Sequence, residues 1–125
     1  MQVKIDTKEK FTVLTPEDVN IYDKMAGDLA AACNKYLDQD IKNVIINLEC
    51  VKSIGEKAVI TIVELQKKFG EHQASFVVCC LQPEIEQLFD KLNLLDSINY
   101  APTESEAWDI VQMEEIEREF FNGEE

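Results

Sequence analysis

Apolar residues recur along this chain with two different periods, and the switches between them lay out its elements. Val3 and Ile5 alternate with polar neighbours, Lys8-Glu9-Lys10 interrupts, and Phe11-Thr12-Val13-Leu14 resumes, a pattern that predicts a hairpin of two half-buried strands. Beyond Pro16-Glu17-Asp18, the residues Tyr22, Met25, Ala26, Leu29, Cys33, Tyr36 and Leu37 fall at helical spacing and predict a first helix. Asn43-Val44-Ile45-Ile46-Asn47-Leu48 is short and nearly continuous in β-branched residues, as expected of a strand covered on both faces.

From Glu56 to Phe69 the apolar positions Ala58, Val59, Ile62, Val63, Leu65 and Phe69 share one helical face, with Gly70 placed to end the helix. Phe76-Val77-Val78-Cys79-Cys80-Leu81 reads as a further buried strand, and Pro83 suits the first turn of a helix carrying Ile85, Leu88, Phe89 and Leu92. Asn93, which tolerates the left-handed conformation, is placed to cap it. A short extended Ser97-Ile98-Asn99-Tyr100 follows, then Thr103 and Glu106 in a capping-box pattern open a last helix through Ala107, Ile110 and Val111. The predicted order is β-β-α-β-α-β-α-β-α. Alternating strands and helices imply parallel crossovers, and the opening hairpin adds an antiparallel strand. The expectation is a single α/β domain over residues 1–112 with a mixed, mostly parallel sheet. Residues 113–125, with Ile116 and Phe120 four apart among glutamates, are expected to form an acidic, frayed helical extension or tail.

Composition narrows the function classes. At 125 residues the chain is large enough for one hydrophobic core, and no apolar run approaches the ~20 residues of a membrane-spanning helix. The first residues alternate like a strand and carry no secretion-signal pattern, so a cytoplasmic protein is expected. The formal charge of −13, with Arg118 as the single arginine, argues against a phosphate-gripping surface and hence against nucleic acid as a partner. Cys33, Cys50, Cys79 and Cys80 show no CxxC spacing and have only His72 beside them in composition, which makes a poor metal set and reads as reduced, mostly buried thiols.

Enzyme chemistry finds little to work with. The loops after Leu48, Leu81 and Tyr100 are where an α/β sheet takes ligands. Glu49-Cys50-Val51-Lys52-Ser53-Ile54-Gly55 contains no glycine-rich phosphate cradle. A Cys50–His72 nucleophile would span opposite ends of the sheet. A receiver-type phosphoaspartate would need an aspartate where Asn47 stands. His72 fits a solvated turn and Trp108 a helix-to-sheet packing position. No catalytic residues and no cofactor are expected.

Taken in order, the hairpin, the strand Val44-Ile45-Ile46-Asn47-Leu48, the helix from Glu56, and the ending Leu92-Asn93-Leu94-Leu95 … Thr103-Glu104-Ser105-Glu106-Ala107 resemble a STAS domain. Such domains occur in bacterial anti-sigma factor antagonists and in sulfate transporters. The family has a strand ending Asp-Leu-Ser and then an Asp-Ser-Ser-Gly or Asp-Ser-Thr-Gly motif opening the second helix. Here Asn47-Leu48-Glu49 fills the first part, Val51 and Ile54 keep the apolar spacing, and Gly55-Glu56-Lys57-Ala58 occupies the motif. In phosphorylated members an anti-sigma kinase modifies a serine of this motif and the added charge breaks the complex. The two hydroxyl positions correspond to Glu56 and Lys57, which cannot take phosphate. Ser53, in Lys52-Ser53-Ile54-Gly55, offers a shifted phosphosite only if about three residues before the helix are deleted.

The resemblance therefore implies a non-catalytic module that binds an anti-sigma factor or kinase-like protein to control transcription, with the usual phosphoserine switch lost. Its partner-facing residues would be Ser53, Ile54, Gly55, Glu56, Lys57, Ile60, Thr61 and Glu64. Glu56 is either a favourable first-turn carboxylate, worth ~0.3–1 kcal/mol against the helix dipole, or a built-in mimic of the phosphate. Lys57, Thr61, Glu64 and Lys68 should form a solvated stripe, and Ile60 falls opposite the buried face, either under a neighbouring loop or in a binding patch. The alternative function is a STAS-type structural subunit of a membrane lipid-transport or other complex, for which no phosphorylatable serine is needed.

Overall fold

A computed structural model describes residues 1–123. In chain order the strands are β1 (Val3–Thr7), β2 (Thr12–Pro16), β3 (Asn20–Ile21), β4 (Val44–Asn47), β5 (Ser53–Ile54), β6 (Phe76–Cys79) and β7 (Tyr100–Ala101). The helices are α1 (Ala26–Asn34), α2 (Glu56–Glu71), α3 (Pro83–Lys91) and α4 (Glu104–Gly123). Five strands form the main sheet in the order β1-β2-β4-β6-β7, with the β1/β2 hairpin antiparallel and every other pairing parallel.

The nearly continuous apolar runs of β4 and β6 follow from cover on both faces. Leu14, Ile46 and Val78 point into a core filled from α1 by Leu29 and Cys33, from α2 by Ile62 and Phe69, and from α3 by Ile85 and Phe89. Their neighbours Val13, Ile45 and Val77 point the other way, against Ala107 and Val111 of α4. Successive side chains of a strand alternate between faces, so a strand between two helical layers needs apolar residues at every position.

Local details differ from the expected pattern in several places, among them β6, which stops at Cys79 because Cys80 is left-handed at φ 61°. β1 lies at the sheet edge with no helix beyond it among the described residues, so it is exposed rather than half-buried, and Ile5 keeps 49% of its surface in solvent. The first helix is broken into a 3-10 turn at Asp23–Met25, the α-helix α1, and a second 3-10 turn at Lys35–Asp38. The second turn rotates Tyr36 and Leu37 inward. Two short strands, β3 and β5, pair in parallel as a separate sheet that periodicity did not announce. Gly70 does not end α2. The helix continues to Glu71, and Gln73 takes the left-handed conformation at φ 57°, with the amide of Ala74 donating to the carbonyl of Phe69 at 2.9 Å. Asn93, at φ 59°, does end α3 in the expected way, with the amide of Leu94 donating to Phe89 at 2.8 Å.

Pro83 occupies the first turn of α3, and the Thr103 hydroxyl accepts the amide of Glu106 at 3.2 Å to cap α4. Far along α4, a polar knot ties the helix to the sheet. The buried Asn43 amide donates to the carbonyl of Lys10 at 2.9 Å and to Glu115 at 2.8 Å, while its oxygen accepts the amide of Ser75 at 2.8 Å. Arg118 donates to the Ser75 hydroxyl at 3.0 Å and to Glu115 at 2.9 Å. The hydrogen bond from Asn43 and the Arg118 guanidinium hold the Glu115 carboxyl below its ordinary value, against the opposing effect of burial.

Candidate functional site

The loop between β4 and α2 is held in place by the small sheet. The carbonyl of Val19 accepts the amides of Lys52 at 2.7 Å and Ser53 at 3.3 Å, and the carbonyl of Ile21 accepts the amide of Gly55 at 2.8 Å. The hydroxyl of Ser53 donates to the side-chain oxygen of Asn20. Ile21 and Ile54 are buried beneath the loop. Ile54 therefore anchors the loop from inside and presents no surface to a partner, which corrects its place among the expected contact residues.

Gly55 is the residue before the first turn of α2, with extended backbone at φ −77° and no side chain to satisfy the free amides of the helix. The missing cap arrives from elsewhere in the chain. Oδ1 of Asp23, in the 3-10 turn after β3, accepts the amide of Lys57 at 3.0 Å. A Cβ on Gly55 would lie 2.9 Å from the Asp23 carboxyl carbon and closer still to its oxygen. Gly55 is thus demanded by close approach and not by its dihedral angle. The capping carboxylate of α2 is thus lent across 34 residues of sequence.

Around this helix end, Ser53, Glu56, Lys57, Ile60 and Glu64 are exposed, and Gly55 and Thr61 are half-buried. Glu56 and Asp23 both set negative charge against the positive end of the helix. The Thr61 hydroxyl donates to the carbonyl of Lys57 at 3.0 Å. Ile60 stays 49% exposed and is not covered by a loop. Two apolar residues join this surface that sequence reasoning did not select: Val19 and Tyr22, 50% and 56% exposed, which flank β3. Only the β3/β5 pairing brings them beside the loop, so no local pattern signals them. On the other flank, Lys57, Glu64 and Lys68 are exposed and Thr61 is half-buried, along the solvated stripe that helical phase predicts. They are one wall of a groove of about 380 Å³ whose other wall is Ala26, Gly27, Ala30 and Asn34 of α1.

The carboxyl ends of the parallel strands are occupied by the protein's own groups. The Asn47 amide donates to Glu104 at 3.0 Å and its oxygen accepts the amide of Glu49 at 2.9 Å. The Trp108 indole donates to the same Glu104 carboxylate at 3.2 Å, and Gln82 donates to the carbonyl of Glu49 at 2.8 Å. Burial pushes the Cys33 thiol up to about 12 and raises Cys79 and Cys80 as well, which leaves them poor nucleophiles near neutral pH. His72 donates from Nδ1 to the carbonyl of Lys68 at 2.8 Å, at the opposite end of α2 from Cys50. Among the described residues no group of three or more His, Cys, Asp or Glu side chains is placed to hold a metal ion, and no helix is long and apolar enough to cross a membrane.

Several solved structures share this fold at low sequence identity. An anti-sigma factor antagonist from Mycobacterium paratuberculosis is 17% identical, with a TM-score of 0.77 over 89% of this chain and 93% of its own. An anti-sigma-factor antagonist (STAS) domain protein from Planctomyces limnophilus is 18% identical, with a TM-score of 0.72 over 88% and 97%. The anti-sigma factor antagonist SpoIIAA in its unphosphorylated form is 14% identical, with a TM-score of 0.71 over 89% and 96%. No curated protein matches the sequence. The STAS domain model matches residues 2–107, and the chain belongs to the STAS domain family.

Proposed function

We propose that this protein is a non-catalytic binding module of the anti-sigma factor antagonist kind. It offers Ser53, Gly55 and the first turns of α2 to an anti-sigma factor or kinase-like protein in the bacterial cytoplasm, and so controls transcription. The observation that carries the reading is the amino end of α2 itself. It is rigidly seated by β3, β5 and Asp23, yet it exposes Glu56, Lys57 and Ile60 together with Val19 and Tyr22. A fixed surface mixing apolar residues with charges of both signs suits protein recognition, because little ordering entropy remains to be lost on binding.

The site lacks the hydroxyls of the family motif at Glu56 and Lys57, and the nearest one, Ser53, is hydrogen-bonded to Asn20. On this reading the surface is not switched by phosphorylation, and control enters through the partner. The test is to incubate the purified protein with the anti-sigma kinases of its source organism and ATP, then read phosphate by mass spectrometry and affinity by titration. No phosphate at Ser53 or Thr61 and an unchanged affinity are expected. Stoichiometric phosphate at Ser53 with loss of binding would overturn the reading.

A further inference from the structure

β1 ends the main sheet with its outer side uncovered, and only Val3 of its residues is partly buried. The direction of its backbone groups follows from the hairpin. The amide of Glu17 donates to the carbonyl of Gln2, and the amide of Lys8 donates to that of Phe11. Because hydrogen-bonded pairs alternate along an antiparallel ladder, Lys4 and Asp6 also turn their amide groups towards β2, opposite Thr15 and Val13. Val3, Ile5 and Thr7 then point theirs outward, with no partner strand among the described residues.

We propose that this edge pairs antiparallel with the same edge of a second copy, about a two-fold axis through Ile5. In that register Ile5 faces Ile5 of the other copy and Val3 faces Thr7. These are the residues with free outward amides, so all three pairs exchange both N–H···O bonds. Between them Lys4 falls opposite Asp6 on both sides of the axis, in the closer, non-hydrogen-bonded spacing where opposite charges attract. Sliding the strands by two residues keeps the backbone bonds in phase but sets Lys4 against Lys4, or Asp6 against Asp6. The charges therefore select one register.

Charged residues on an edge strand ordinarily discourage pairing. Here a lysine and an aspartate equally spaced about one residue do the opposite, since the two-fold makes them complementary. The charge distribution supports the same surface. The hairpin carries Lys4, Lys8 and Lys10 against Asp6 and Glu9, so it is near neutral while the rest of the chain holds the whole excess of carboxylates. Two copies repel least when they meet there. Asp6 already lies 3.1 Å from Lys8, in the turn that follows β1, and a second ammonium can approach from the open side. The opposite sheet edge, β7, is only two residues long and offers no comparable ladder.

The test is the mass of the purified full chain by light scattering and sedimentation, from micromolar to millimolar concentration, with circular dichroism to confirm folding of each variant. The wild type should pass from 14.3 kDa to twice that mass. Lys4→Asp or Asp6→Lys alone should weaken the dimer by about tenfold or more, and the double swap should restore it. Ile5→Pro removes an amide that points away from β2, so it should abolish the dimer while sparing the fold. A chain that stays monomeric throughout overturns the proposal. So does a dimer indifferent to these substitutions.

Discussion

Oδ1 of Asp23 lies 3.0 Å from the backbone nitrogen of Lys57, and this bond between residues 34 positions apart stands where a helix would ordinarily use its own capping side chain. The expectation is that Asp23→Ala destabilises the protein by about 1 kcal/mol, the usual worth of a helix cap. Gly55→Ala should cost at least as much, because its methyl group displaces the same carboxylate. Both break one interaction, so the double variant should fall well short of the sum. Asp23→Ala combined with Gly55→Asp should recover only part of the loss, because the local cap it restores still crowds the backbone nitrogen at position 23, 3.0 Å from the new Cβ. Urea unfolding of the four variants checks this.

The carboxyl end of α2 makes a second case. Gly70 sits in the helix with open space where a Cβ would go, while Gln73 carries the left-handed turn. Gly70→Ala should therefore raise stability by about 0.5 kcal/mol, and Gln73→Gly by a similar amount or more. Thermal melts of the two single variants and the double would show additive gains if each residue acts through its own backbone.

Glu115 ties α4 to Asn43 and Arg118, and its folded-state carboxyl titrates below the ordinary value of 4.5. A lowered value means that the charged form is favoured by folding. Its contribution is fully present above the unfolded value and is lost as the pH falls through the folded one. The stability gap between wild type and Glu115→Gln should be widest near pH 7 and should close as the pH falls below 4.5 and through the lowered folded value. Asn43→Ala should cost about 3 kcal/mol at neutral pH, since the Ser75 amide and the Lys10 carbonyl lose their shared partner.

Much of this architecture was legible in the sequence because burial writes period and composition directly into strands. Val44–Asn47 and Phe76–Cys79 stand out because they are covered on both faces, and Pro83, Asn93 and Thr103 mark helix ends through local backbone chemistry. What escaped was non-local. β3 and β5 are two residues each and exist only through their pairing with one another. Asp23 caps a helix it does not belong to, and Arg118 reaches Ser75 from a segment whose own pattern reads as a solvated end. Gly70 misled because a glycine near a helix terminus signals a stop only if the next turn needs its conformation. At the candidate site, Glu56, Lys57 and Ile60 were identifiable from helical phase, whereas Val19 and Tyr22 needed the tertiary pairing.

The proposed function puts the partner on the amino end of α2. Its direct test is the affinity of the protein for each purified anti-sigma factor of its source organism, measured for the wild type, Lys57→Glu and Ile60→Asp. All three should be equally folded, since both residues are exposed. The prediction is one factor that binds the wild type and loses at least tenfold in affinity with either substitution, about 1.4 kcal/mol. Binding left unchanged by both would contradict it.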